Sequence, residues 1–151
     1  MKILIIGAGK GVGKTLAWML VQRGHTVIAG LHSMNSVPDT KEKERRKEEP
    51  EDGIRENGIW YLPMDVTNEQ QMQRDAEIIE KREGLLDCVV SVAGILLPSD
   101  RTCSLLEEPI EDLRRQMDVN AIGLVAAFRT FAPHMKKGSR YFAVTSEGGS
   151  F

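Results

Sequence analysis

The sequence is short of the features that mark metal proteins, disulfide scaffolds and membrane spans. Its 151 residues include two cysteines, Cys88 and Cys103, without a C-x-x-C spacing, and three scattered histidines, His25, His32 and His134. That pattern argues against a zinc site and against a disulfide framework. Neither sign of charge dominates: 20 Lys and Arg stand against 22 Asp and Glu, a formal net charge of −2. Such balance gives no electrostatic reason to seek nucleic acid or an anionic membrane. The opening run Met1-Lys2-Ile3-Leu4-Ile5-Ile6-Gly7 is too short for a signal peptide, and no apolar stretch spans a bilayer. Internal repeats and low-complexity segments are missing as well. At 41% hydrophobic and 28% charged, disordered, collagen-like and fibrous classes are excluded. What remains is one domain over 1–151, large enough to bury a core unaided, and expected in a reducing cytoplasm.

Ile3–Ile6 is an unbroken apolar run with β-branched residues, the pattern of a strand buried on both faces. Glycines follow, then Leu16, Met19 and Leu20 at helical spacing, with Gly24 placed to end a helix. Val27-Ile28-Ala29 reads as a second strand, so the start is a β-turn-α-β unit with parallel strands. From Ser33 to Asn57 the character changes to an insertion. The charge run Lys41–Glu49, ended by Pro50, reads as a solvated surface with pairs such as Glu42–Arg46. Ile59-Trp60-Tyr61-Leu62 reads as a third strand. Thr67 is expected to cap a helix from about Asn68 to Arg82, closed by Gly84. Leu85–Val92 reads as a fourth strand. A long helix is expected over 110–136, with Met117, Ala121, Leu124 and Phe128 on one face, and Tyr141–Val144 as a fifth strand. Alternating strands and helices predict an α/β fold with a mostly parallel sheet, whose ligands sit beyond the carboxyl ends of the strands.

The turn after strand one reads Gly7-Ala8-Gly9-Lys10-Gly11-Val12-Gly13-Lys14-Thr15. Glycines there permit tight turning and close approach of a phosphate, and the following helix offers free N–H groups and a positive dipole end. Taken alone, the loop has two readings. Ala8–Thr15 is a relaxed A-x-x-x-x-G-K-T phosphate loop, with Lys14 on the phosphates, Thr15 on magnesium and Asp65 as a metal-binding acid. Gly7, Gly11 and Gly13 are also the G-x-x-x-G-x-G spacing of a dinucleotide site. A mere tight turn between strand and helix is the third possibility.

The rest of the chain resembles the short-chain dehydrogenase/reductase family of NAD(P)-dependent oxidoreductases. Five segments carry the likeness, in order: Gly7-x-x-x-Gly11-x-Gly13; Met64-Asp65-Val66-Thr67; Gly84–Gly94, similar to the family's G-x-L-D-x-L-V-N-N-A-G; Asp118-Val119-Asn120-Ala121-Ile122-Gly123; and Val144-Thr145-Ser146-Glu147-Gly148-Gly149. The resemblance implies a Rossmann-type doubly wound parallel sheet, strands 1–5 in the order 3-2-1-4-5, with the family's last strands missing from these residues. It implies cofactor contacts from Gly7, Gly9, Lys10, Gly11, Val12 and Gly13, from Asp65 and Val66 beside the adenine, and from Val92, Ala93 and Gly94. Ser91-Val92 replaces the family's Asn-Asn, so side-chain hydrogen bonds made there should be partly missing. Asp87 is assigned no chemistry.

An acid at the end of strand two normally accepts hydrogen bonds from the ribose hydroxyls of NAD. Val27-Ile28-Ala29-Gly30-Leu31-His32-Ser33 has none, so nothing there repels a 2′-phosphate. Lys10 lies where NADP-preferring members often place a basic residue. NADP is therefore expected over NAD, with Lys10, His32 and Ser33 as phosphate contacts. Ordinary surface exposure is the plain alternative for Lys10 and His32.

Hydride transfer to a carbonyl develops negative charge on oxygen, which needs hydrogen-bond donors and a proton source. The resemblance implies that Ser146 holds this oxygen and that Asn120 binds a water in the proton relay. The family's proton donor, a Tyr in Y-x-x-x-K, has no counterpart: Tyr61 is followed four residues on by Asp65, and Tyr141 by Thr145. Loss of a general acid costs roughly 10²–10⁴ in rate, so negligible turnover is expected of these 151 residues alone. The expected substrate is a small carbonyl or alcohol, with neither nucleic acid nor membrane as partner. Strand five should present an apolar edge, and the 110–136 helix an apolar face that joins a second copy. A non-catalytic NADP(H)-binding module and a phosphate-loop ATPase remain the other functional expectations.

Overall fold

Each apolar run bounded by glycine or a capping residue becomes a strand or helix of one α/β unit. The computed structural model describes residues 1–37, 53–104 and 106–145, the side chains of residues 100 and 101 aside. In chain order the elements are β1 (Lys2–Ile6), α1 (Gly11–Gln22), β2 (Thr26–Leu31), a short turn at Met34–Ser36, β3 (Ile54–Glu56), β4 (Ile59–Pro63), α2 (Glu69–Glu83), β5 (Leu86–Ser91), α3 (Ser99–Thr102), α4 (Ile110–Met117), a widened π-turn (Asp118–Ile122), α5 (Gly123–Phe131) and β6 (Met135–Ala143). The charge run Lys41–Glu49 lies outside the described residues.

The sheet order is β3-β4-β2-β1-β5-β6. Neighbours are parallel from β4 to β6, which reproduces the expected 3-2-1-4-5 winding, reversing between β1 and β5. A sixth strand corrects the five-strand expectation. β3 pairs antiparallel with β4 across Asn57 and Gly58, both at positive φ, as a two-residue hairpin turn requires.

Strand residues alternate between two buried layers, as period-two geometry demands. Leu4, Ile6, Ile28, Trp60, Leu62 and Val89 face Met72, Ala76 and Ile79 of α2 and Ala126, Ala127 and Phe131 of α5. Ile3, Ile5, Val27, Ala29, Ile59 and Tyr61 face Ala17 of α1. Three boundaries correct the sequence reading. The helix expected to reach Lys136 ends at Phe131, because Pro133 cannot continue it, and Met135 already begins β6. β6 is therefore longer than Tyr141–Val144, with a register irregularity opposite Leu86–Cys88. Finally, Asn68 caps α2 by accepting from the Gln71 N–H, because the Thr67 hydroxyl donates to Asp65 instead.

The amino-terminal edge of the sheet is tied by charged side chains. Asp87 accepts from the Lys2 N–H at 2.6 Å and from Lys136 at 2.5 Å, and these bonds, Lys136 foremost, hold its carboxyl below the usual range. His134 meets Glu80 at 2.6 Å, and Arg55 pairs with Glu83. Arg55 and Arg82 both lie over the Trp60 ring, 4.8 and 5.4 Å from its centre. Asp87, assigned no chemistry from sequence, is thus a structural tie.

Candidate functional site

Five parallel strands deliver their carboxyl ends to one edge, and five of the described segments singled out from sequence emerge there. The glycine turn follows β1, His32 and Ser33 follow β2, Asp65 and Val66 follow β4, Val92–Gly94 follow β5, and Val144-Thr145 follow β6. Backbone bonds continue the ladder past the strand ends: Gly7 and Ala8 donate to Gly30 O, Met64 to Leu31 O, Val92 to Ile6 O, and Val144 to Ser91 O.

The glycines of the turn have two distinct tasks. A Cβ on Gly7 would stand 2.6 Å from Ala93 N, and one on Gly13 would stand 2.5 Å from Gly7 O and 2.7 Å from Val92 Cγ2. These two let α1 and the β5 exit close against the turn. Gly11 differs: at φ 53° it has no heavy atom within 4 Å of its Cβ position, so it borders open space. Lys10 precedes α1 in extended backbone, makes no side-chain cap, and the first turn carries no acid. Free helix amides beside open space and a lysine form a cradle that fits an anionic diphosphate. The Thr15 hydroxyl, by contrast, turns back to donate to Gly11 O at 3.1 Å.

Across the crevice, both Thr67 N–H (2.9 Å) and Thr67 hydroxyl (2.7 Å) donate to Asp65 Oδ1. The other carboxylate oxygen, Oδ2, pairs with His32 Nε2 at 3.9 Å, and the His32 side chain is 81% exposed. Ser33 accepts from the Asn35 N–H, and a Cβ on Gly9 would come 3.2 Å from Ser36, so the turn after β2 packs on the glycine turn. Ser36 was not singled out from sequence. Its only signal was a polar, acid-free stretch after a buried strand.

Asn120 sits in the π-turn, and both polar ends of its side chain are engaged. Its Oδ1 accepts from Ile95 N–H at 2.7 Å, and its Nδ2 donates to Ile95 O at 2.8 Å. The side-chain amide therefore clamps the loop after β5, with Oδ1 3.4 Å from where a Gly94 Cβ would stand. Widened turns of this kind are frequent at functional positions. Ile95, the other half of the clamp, carried no sequence signal. Ser91, at the family's first Asn position, is buried with no hydrogen-bond partner of good geometry; the Tyr141 hydroxyl is its polar neighbour. Ser146 lies outside the described residues. A cavity of about 280 Å3 opens nearby between Val66-Thr67 and the π-turn, lined also by Glu69, Asp118, Ile122 and Ala126. Among the described residues no cluster of three metal-ligating side chains forms, and no helix is long and apolar enough to cross a membrane.

Known proteins are similar to this chain in sequence and in fold. The NADPH-dependent pterin aldehyde reductase of Arabidopsis thaliana is 28% identical over 147 residues, 97% of this chain and 56% of that protein. The 3-ketodihydrosphingosine reductase of Bacteroides thetaiotaomicron is 30% identical over 149 residues, 97% of this chain and 47% of the relative. The crystal structure of serine dehydrogenase from Escherichia coli superposes with a TM-score of 0.77 at 22% identity, covering all of this chain and 64% of that one. The chain thus spans about half the length of the curated relatives it matches. The family model for short chain dehydrogenases matches residues 1–149. With its strand order, its glycine turn against the β5 exit and that match over nearly every residue, the chain belongs to the short chain dehydrogenase family.

Proposed function

We propose that the chain is the nucleotide-binding portion of an NADP(H)-linked oxidoreductase acting on a small carbonyl or alcohol, as one Rossmann domain over 1–151. The observation that carries this reading is the cradle at Lys10–Gly13, open at Gly11 and free of acid, beside a β2 exit that also lacks an acid. Gly7, Gly9 and Gly13 shape the turn, while Lys10, Gly11 and Val12 meet the diphosphate side. Lys10, His32 and Ser33 receive the 2′-phosphate. Asp65 lies beside the adenine, with Val66, Val92, Ala93 and Gly94 walling the base and ribose. A similarity to a relative named as NADPH-dependent supports the same preference. The turned-back Thr15 hydroxyl weakens the competing magnesium-triphosphate reading.

When bound, the nicotinamide nucleotide supplies or accepts the hydride. In this proposal Ser146 donates a hydrogen bond to the reacting oxygen, and Asn120 binds a water of the proton relay. A Tyr-x-x-x-Lys proton donor is not among these 151 residues, so the polypeptide by itself should bind nucleotide without turning it over. NADPH consumption with a panel of ketones, aldehydes and quinones tests this, and steady turnover would contradict it. Cofactor choice is tested by calorimetric titration with NADPH, NADH and ATP with magnesium; tighter NADH or ATP binding would overturn the assignment. We further propose that the exposed apolar face of α4–α5, with Ile110, Met117 and Phe128 at 62%, 59% and 47% exposure, packs against a second copy. The reducing cytoplasm is the proposed location.

A further inference from the structure

Tyr141 links two parts of the molecule that sequence reading kept apart. It lies on β6 opposite Val89 of β5 and packs against the core under α2 and α5. Its ring meets Phe128 edge-on, with centroids 5.1 Å apart and planes at 78°. Its hydroxyl donates to the main-chain carbonyl of Leu124 at 3.1 Å. Burial pushes the phenol pKa up, which keeps the hydroxyl a donor across the ordinary pH range. Leu124 belongs to the first turn of α5, directly after the π-turn and one helical turn beyond Asn120.

A helix that passes from five-residue to four-residue hydrogen bonding has neighbouring registers close in energy, since each offers nearly the same number of backbone bonds. A bond from outside the helix to one chosen carbonyl removes that ambiguity. Asn120 needs this help, because its amide must meet both polar groups of Ile95 at once, at 2.7 and 2.8 Å. A shift of one residue would turn it by about 100° around the helix and break both bonds.

We propose that Tyr141 is a positioning residue: its hydroxyl fixes the register of α5 behind the π-turn and so holds Asn120 on Ile95. Through that clamp it sets the Val92–Ile95 loop, one wall of the proposed nucleotide crevice. The mechanical part stands on observed contacts, and only the consequence for binding rests on the proposed function.

The test is Tyr141→Phe in the 151-residue chain, read by amide hydrogen exchange. Ile95 N–H should exchange about three- to tenfold faster relative to core amides such as Ile5 and Val89, the ratio expected for one lost hydrogen bond. Phe128→Leu, which keeps the hydroxyl and loosens the packing, should leave that ratio at its original value. An unchanged ratio in Tyr141→Phe, or an equal rise in Phe128→Leu, would overturn the proposal. NADPH affinity should fall by a similar factor in Tyr141→Phe. If the Ile95 ratio rises while neither protein binds NADPH, the positioning role is upheld and the nucleotide reading fails.

Discussion

The two flanks of the sheet follow one winding rule yet are finished differently. β1, β2 and β4 are buried almost residue for residue, whereas β6 is exposed along most of its length, with Phe142 at 49%. A parallel strand needs cover on both faces. The first flank receives it from α1 on one side and α2 on the other. Among the described residues, the second flank has α5 on one face only partly, and α4–α5 turn an apolar stripe outward. The flank that carries the glycine turn is thus covered on both faces, and among the described residues the flank expected to carry catalysis exposes apolar surface.

Four experiments would break or sharpen that contrast, from the largest effect to the smallest. Gly13→Val strikes the finished flank at the tightest contact of its glycine turn, 2.5 Å from Gly7 O. It should cost about 3 kcal/mol by overpacking and abolish NADPH binding, measured by denaturant unfolding and calorimetry. Asp75→Asn removes the buried flaw of α2. Burial raises this carboxyl from 3.8 to about 7, with Arg74 lowering it only in part. Because the folded form holds the proton more tightly, the native protein is favoured fully below about pH 4 and loses that stability as pH rises through 7. The variant should therefore gain on the order of 2–3 kcal/mol at pH 8 and nothing at pH 4, read from unfolding at each pH. Lys10→Ala should weaken NADPH binding about tenfold, the loss of one charge-assisted phosphate contact, and weaken NADH binding by a smaller factor. Met117→Lys on the open flank should change stability by less than about 0.5 kcal/mol, while shifting any dimer to monomer in light scattering.

How much of this was legible in the sequence follows from how local each cause is. Ile3–Ile6, Val27–Ala29 and Ile59–Leu62 announce themselves because burial on both faces demands unbroken apolar runs. The glycine turn is legible because only glycine tolerates those approaches. β3 was missed, as Ile54-Arg55-Glu56 is short and charged, although Asn57-Gly58 is a hairpin signal that could have found it. Pro133 likewise marked the helix end short of Lys136. The Asn120–Ile95 clamp and the Tyr141–Leu124 bond were beyond reach, since each joins residues whose partners are set by packing between elements and leave no pattern in either segment.

The central claim is that the glycine turn and the loop after β5 close together on the diphosphate of a nicotinamide nucleotide. Hydrogen exchange with and without saturating NADPH tests it directly. Protection at residues 9–14 and 92–95, joined by 32–33 and 65–66, with none from ATP and magnesium, is the expected result. Protection by ATP with magnesium at residues 9–15, with NADPH leaving 92–95 unaltered, would contradict it.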